Sequence, residues 1–300
     1  MMELVFLGTA SARPTPKRGL SCICLNTDME VLIFDVGEGS QISYQKAGLK
    51  WNKKTRIFIT HMHGDHCLGL LGMLQTMSLQ GRTESITIFG PVGLEEFLVE
   101  NMRMMGFIPK FPLAISEISC NCKVVETKEY VITACSSEHR IKAFAYLFKE
   151  CDKPGEFYPK KAIQMGIPRG ADWHALQHGQ NITVGNNTVF ASQVTGEPRK
   201  GISVGISGDT RPNKMLEKFF KECDYLVFDS TFSNEHKERA KKTGHSTAKE
   251  AATLAKDANV KTLILTHFSS RYTDVSKLLE ETTGIHESVI MAEDLFRIIL

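Results

Sequence analysis

The stretch Arg56-Ile57-Phe58-Ile59-Thr60-His61-Met62-His63-Gly64-Asp65-His66 decides the fold class of this 300-residue chain. Its first half is a short apolar run of β-branched and aromatic residues, the pattern of a buried strand. Its second half sets four potential metal ligands, His61, His63, Asp65 and His66, within six residues where that strand stops. His61 and His63 are two apart, so on extended chain their side chains point the same way. Gly64 permits a tight turn that swings Asp65 and His66 back towards the same point. Imidazole with carboxylate suits zinc or a similar divalent ion, manganese included. Too few thiols lie nearby for a Cys-rich structural site, so the cluster reads as a catalytic metal centre.

Outward from this stretch, short apolar runs alternate with longer stretches of helical periodicity. Strands are expected at 3–7, 31–34, 57–60, 86–89, 130–134, 203–207, 225–228 and 262–266. Helices are expected at 67–79, 93–104, 215–221, 248–255 and 275–282. Strands mixed with helices indicate an α/β protein whose helices cover the sheets. A weak internal echo accompanies them. Val31-Leu32-Ile33-Phe34-Asp35 resembles Tyr225-Leu226-Val227-Phe228-Asp229, and the run ending Thr60-His61 resembles the one ending Thr266-His267. Each half thus delivers an Asp and then a Thr-His pair at strand ends.

A two-ion site needs more ligands from strand ends elsewhere. His139 follows Ser136-Ser137, Asp209 closes Ser207-Gly208-Asp209, and His267 closes Leu263-Ile264-Leu265-Thr266. Taken singly, each serves equally well as a hydrogen-bonded structural residue. Together with the first cluster they supply seven ligands, enough for two ions that share one carboxylate. His174, His178, His236 and His286 lie in polar surroundings and read as surface histidines.

Composition sets the bounds. Lys and Arg number 36 against 34 Asp and Glu, a net charge of +2, so a nucleic-acid surface must be a local patch. The eight cysteines form no CxxC pair and lie mostly in strand-like context, which favours free thiols and a reducing, cytoplasmic compartment. No run approaches the roughly 18 apolar residues of a membrane span, and the amino-terminal residues read as a first strand rather than a signal peptide. One region, 153–170, breaks the rhythm with Pro, Gly, Lys160, Lys161 and Arg169 beside Phe157 and Tyr158. Such punctuation marks a protruding arm on a single domain spanning 1–300, and by composition alone it reads as a solvated insertion.

The His-x-His-x-Asp-His run resembles the hallmark of the metallo-β-lactamase superfamily, which implies a four-layer αββα sandwich. Further segments are similar to the tRNase Z family: Leu7-Gly8-Thr9 with the 14–18 loop, Asp35-Val36-Gly37-Glu38, Phe89-Gly90-Pro91, Ser207-Gly208-Asp209-Thr210, Gly244-His245-Ser246-Thr247, and Leu265-Thr266-His267-Phe268-Ser269-Ser270-Arg271-Tyr272. The resemblance implies a zinc-dependent endoribonuclease that removes the 3′ trailer from precursor tRNA and leaves a 3′-hydroxyl. One zinc ion would be held by His61, His63, His139 and Asp209, the other by Asp65, His66, His267 and the same Asp209. Two such ions suit in-line displacement at phosphorus. Asp65 would also accept a proton, and His245 would serve the leaving 3′ oxygen. The family's His-Glu-Ala-Thr segment, whose acid orients that histidine, corresponds here to Phe228-Asp229-Ser230-Thr231, so Asp229 stands one methylene shorter in the orienting position. Lys17, Arg18, Ser269 and Arg271 resemble the family's phosphate contacts, with Gly19 in place of its usual Asn. The 153–170 arm, with Lys160, Lys161 and Arg169, resembles the exosite that grips the tRNA elbow, and a homodimer is implied. The competing fold-mates are hydrolases of thioesters, lactones or cyclic nucleotides, whose small substrates need no such arm. A diiron protein would replace His63 by a carboxylate, and a non-catalytic RNA-binding relative would lack the ligands that are all present here.

Overall fold

The computed structural model describes residues 2–185 and 187–300, in two compact units. The larger unit comprises residues 1–126, 132–148 and 203–300. It is built on two seven-stranded sheets. The first has the order Arg297–Ile299, Glu3–Gly8, Cys22–Asn26, Glu30–Phe34, Lys54–Phe58, Ile86–Pro91, Leu113–Ile118. The second has the order Val289–Met291, Thr262–Thr266, Tyr225–Asp229, Ser203–Ile206, Phe144–Glu150, Tyr130–Ser136, Cys122–Glu126. In each sheet four neighbouring strands run parallel, which requires crossovers through helices.

Both faces of these strands are covered, which is why they read as unbroken apolar runs. On the outer face of the first sheet, Val5, Leu7, Val31, Ile33, Ile57 and Ile88 meet Tyr44 of the helix Ser40–Lys46, Leu70, Met73, Leu74 and Met77 of Gly69–Leu79, and Leu94 and Leu98 of Leu94–Met104. On the outer face of the second, Leu226, Phe228, Leu263 and Leu265 meet Leu216, Leu278 and the alanines 248, 251, 252 and 255. Those alanines recur at helical spacing on Ala248–Asp257, and their small side chains let the helix lie close to the sheet. Between the sheets, the Tyr146 ring packs 6.0 Å from Phe34 and 5.5 Å from Phe58, and its hydroxyl donates to the Ile59 carbonyl at 2.9 Å. The order of layers is helix, sheet, sheet, helix, as expected.

Several elements depart from expectation. The strand expected to reach Thr60 ends at Phe58, because the Thr60 amide donates to the Asp35 carboxylate at 2.7 Å and leaves the ladder. The helix expected at 67–79 is two pieces, Gly64–Cys67 and Gly69–Leu79. Gly69 makes the join: its amide donates to the Val36 carbonyl, and a Cβ there would lie 2.0 Å from the Gly37 carbonyl oxygen. The 153–170 arm is part of a wider unit, residues 127–131 and 149–202, with a core of its own. Ala162, Ile167, Leu176, Val189, Ala191 and Val194 form that core, so its chain must continue well past residue 170. Two short helices, Pro159–Gln164 and Ala171–Gln177, and the hairpin Ile182–Val184 with Asn187–Val189 complete it.

Candidate metal centre and active-site cleft

The larger unit gathers its polar side chains at the carboxyl ends of the parallel strands, where open α/β sheets bind ligands. Asp35 and His61 follow first-sheet strands, while Asp209, Asp229 and His267 end or follow second-sheet strands. Two ligand groups result, His61, His63, His139 and Asp209, and Asp65, His66, His267 and the same Asp209. All seven residues singled out from the sequence as ligands are therefore brought together.

Their spacing is that of a metal site. In the first group, His63 Nδ1 lies 3.0 Å from His61 Nε2 and 3.1 Å from His139 Nε2, and Asp209 Oδ2 lies 3.6 Å from His61 Nε2 and 4.0 Å from His139 Nε2. In the second, His66 Nε2 and His267 Nε2 are 3.2 Å apart, each 3.3 Å from Asp209 Oδ1 and 3.6 and 3.4 Å from Asp65 Oδ2. A tetrahedral ion with bonds near 2.0–2.1 Å holds its ligands about 3.3 Å apart. Asp209 Oδ1 is buried yet makes no well-formed hydrogen bond, an expensive arrangement unless a cation completes it. The residues present fit divalent metal.

Each imidazole is aimed from behind. Thr60 Oγ1 donates to Asp35 Oδ2 at 2.9 Å, so it accepts from His61 Nδ1–H at 3.0 Å and leaves Nε2 as the lone pair facing the centre. Asp35 Oδ2 also takes His66 Nδ1–H at 2.7 Å. The second half repeats the device: Thr231 Oγ1 lies 2.6 Å from Asp229 Oδ1 and 2.9 Å from His267 Nδ1, while Asp229 Oδ2 is 2.9 Å from His245 Nδ1. His139 Nδ1 donates to the Gly244 carbonyl at 2.8 Å. These outer contacts fix ring orientation and tautomer. Thr231→Val should therefore weaken metal binding about 10–100-fold, whereas Thr231→Ser should restore it. Competition with a chromogenic chelator measures this, and equal affinities for both variants would remove the role.

Burial and charge pull the ionisations apart. Burial and the neighbouring His66 hold His61 well below the usual histidine range, and burial also lowers His63 and His139. Burial alone would raise Asp209, but His267, His66 and His245 outweigh it and hold the carboxyl far below the usual range. Asp65 is held low in the same way, chiefly by His267 and His66, and Oδ2 accepts the Ala12 amide at 2.7 Å. His245 is raised to about 9, because Asp229 and Asp209 outweigh its burial.

The ligands open into a cleft of about 730 Å3 lined by His63, Asp65, His139, Asp209 and His245, and also by Ser269 and Arg271. Arg271 Nε donates to Ser269 Oγ at 3.2 Å. Lys17 lines a separate, smaller hollow with Thr15 and Thr273. Arg18 is half-buried under its loop, where its guanidinium donates to the Tyr272 carbonyl and lies 6.0 Å from the Phe268 ring, so it braces the loop. Lys160, Lys161 and Arg169 lie exposed in the smaller unit, Lys161 4.7 Å over Tyr158 and Arg169 5.4 Å over Trp173. Sequence reasoning did not place Thr60, Thr231 or the Gly244 carbonyl behind the ligands. The echo of Asp35 with Asp229 was the available signal for the two carboxylates, but the Thr partner of His267 is Thr231, from another strand end, rather than its neighbour Thr266.

Two stacked sheets between helices, with this cluster at their strand ends, define a protein of the metallo-β-lactamase fold. Residues 157–268 match the family model of the beta-lactamase superfamily domain, and residues 2–144 match that of the anti-Pycsar protein Apyc1. The ribonuclease Z of Nitrosopumilus maritimus is 56% identical over 297 residues, 99% of each chain. That of Methanothermobacter thermautotrophicus is 39% identical over 298 residues, 99% of this chain and 96% of that one. The crystal structure of human tRNase Z, short form, superposes with a TM-score of 0.74 at 29% identity, covering 99% of both chains. The chain belongs to the ribonuclease Z family.

Proposed function

We propose that this chain is an endoribonuclease that removes the 3′ trailer from precursor tRNA with two zinc ions per subunit, manganese being a substitute. The observation that carries this is the sharing of Asp209 by two ligand groups, with the His245–Asp229 pair on the same cleft. Bound ions would acidify water and neutralise charge at the scissile phosphodiester.

The chain's own residues do the rest. Asp65 faces the cleft, where its carboxylate is placed to accept a proton from the attacking water. Asp229 occupies His245 Nδ1, which leaves Nε2 to meet the substrate. Carrying a proton at neutral pH, His245 donates it to the departing 3′ oxygen, giving a 3′-hydroxyl on the tRNA and a 5′-phosphate on the trailer. Arg271 and Ser269 meet phosphate oxygens beside the cut. Cleavage in 18O-water tests the chemistry: one label should enter the trailer's 5′-phosphate. A trailer with a 5′-hydroxyl, and a tRNA end carrying a 2′,3′-cyclic phosphate, would mean the ribose 2′-hydroxyl attacks instead.

The smaller unit is read as the exosite for the tRNA body. Its exposed Lys160, Lys161 and Arg169 with ring partners suit backbone and shape recognition rather than base reading. Lys160→Ala with Lys161→Ala should raise KM for precursor tRNA about tenfold at moderate salt while sparing hydrolysis of bis(p-nitrophenyl) phosphate. Equal loss on both substrates would remove the exosite. A homodimer follows from the family resemblance and is testable by light scattering. Among the described residues no helix is long and apolar enough to cross a membrane, and all eight cysteines are free thiols, five of them buried, which supports a cytoplasmic setting.

A further inference from the structure

Four arginines line the cleft, Arg13, Arg140, Arg239 and Arg271. Of the eight arginines elsewhere, four are ion-paired: Arg56 with Glu30, Arg103 with Glu100, Arg211 with Glu250 and Arg297 with Glu3. Among the described residues, none of the four in the cleft faces a carboxylate within ion-pair distance. Guanidinium groups left without acids around an anion-processing centre are set for phosphate, which they grip with two parallel hydrogen bonds.

Two of the four share a wall with His245. Arg140 follows the ligand His139, whose ring is tied to the Gly244 carbonyl. Gly244 adopts φ +77°, and a Cβ there would stand 2.9 Å from His139 Nδ1 and 3.3 Å from Arg140 Cγ. The root of Arg140 is thus pressed against the residue preceding His245. Arg239 lies on the helix Lys237–Thr243, which ends at that same glycine. Arg13 belongs with Asp65 instead: its Nε donates to Ser270 Oγ at 2.7 Å, and the adjacent Ala12 amide holds Asp65. A single phosphodiester at the metal centre does not need this wall, whereas a polymer brings a further phosphate to it.

We infer that Arg140 and Arg239 form a subsite for the phosphate immediately 5′ of the scissile one, on the strand that is retained. The polarity rests on the proposed endonuclease chemistry: the bond broken is P–O3′, O3′ takes its proton from His245, and the retained nucleotide therefore lies on the His245 wall. Its own 5′-phosphate then meets the two arginines.

The test pairs variants with substrates. Precursor tRNA is made with all phosphates, with one methylphosphonate at the linkage 5′ of the cut, or with one at the linkage 3′ of it. The double variant R140A/R239A should lose about 100-fold in kcat/KM on the all-phosphate RNA. On the 5′-methylphosphonate RNA it should lose less than about threefold, because the partner charge is already gone. On the 3′-methylphosphonate RNA it should lose the full 100-fold. Equal losses on all three, or coupling to the 3′ linkage, would overturn the subsite while leaving the endonuclease in place. Failure of the unmodified protein to cut the all-phosphate RNA would overturn the endonuclease and the subsite together.

Discussion

Replacing Asp209 by Asn should empty both halves of the metal centre at once and lower endonuclease activity by at least about 10³-fold. The seven ligand residues include only two carboxylates, Asp65 and Asp209, so two dications would face two negative charges. Asp209 alone reaches both groups, with Oδ2 towards His61 and His139 and Oδ1 towards His66 and His267. Asn keeps the shape but removes half of the compensating charge from a buried site, where charge is worth most. His63→Ala is the control, since it touches one group only and should cost one ion. Metal content after dialysis, read by elemental mass spectrometry, distinguishes the two. Two ions retained in Asp209→Asn would refute the shared-carboxylate arrangement.

His245→Ala should behave in the opposite way, keeping its metal and losing about 10²–10⁴-fold in kcat on precursor tRNA. The loss should depend on the leaving group. A ribose 3′ oxygen departs as a strong base and needs a proton, whereas p-nitrophenolate does not. On bis(p-nitrophenyl) phosphate the same variant should therefore lose far less. Asp229→Asn should follow the same pattern more weakly, because its one carboxamide oxygen can still accept at the position that faces Thr210 and His245, or at the one that faces Thr231, but not at both. An equal loss on both substrates would make His245 a binding residue or a structural one rather than the acid.

The parts of this site legible in the sequence were those with short-range signatures. Four ligands within six residues, ended by a glycine turn, needed no tertiary information. Asp209 and His267 were legible as polar residues closing apolar runs, a position where buried strands hand over to loops. What stayed hidden depends on chain segments meeting across the fold. Thr231 supports His267 although 36 positions separate them, and the Gly244 carbonyl supports His139 from a distant loop. Arg18, singled out through the family resemblance as a phosphate contact, also donates to the Tyr272 carbonyl, a partner 254 positions away that no local pattern announces. The smaller unit's extent was also out of reach, since its core draws residues from 162 to 194 at no single period.

The central claim, a metal-dependent cut at the 3′ end of tRNA, is tested most directly on a precursor tRNA with a 3′ trailer, using metal-loaded and chelated protein with the product ends mapped. The account predicts one cut near the acceptor stem, present only with metal, leaving a 3′-hydroxyl and a 5′-phosphorylated trailer. An uncut precursor alongside intact, metal-dependent hydrolysis of bis(p-nitrophenyl) phosphate would contradict it, leaving a working metal centre that acts on a different phosphodiester.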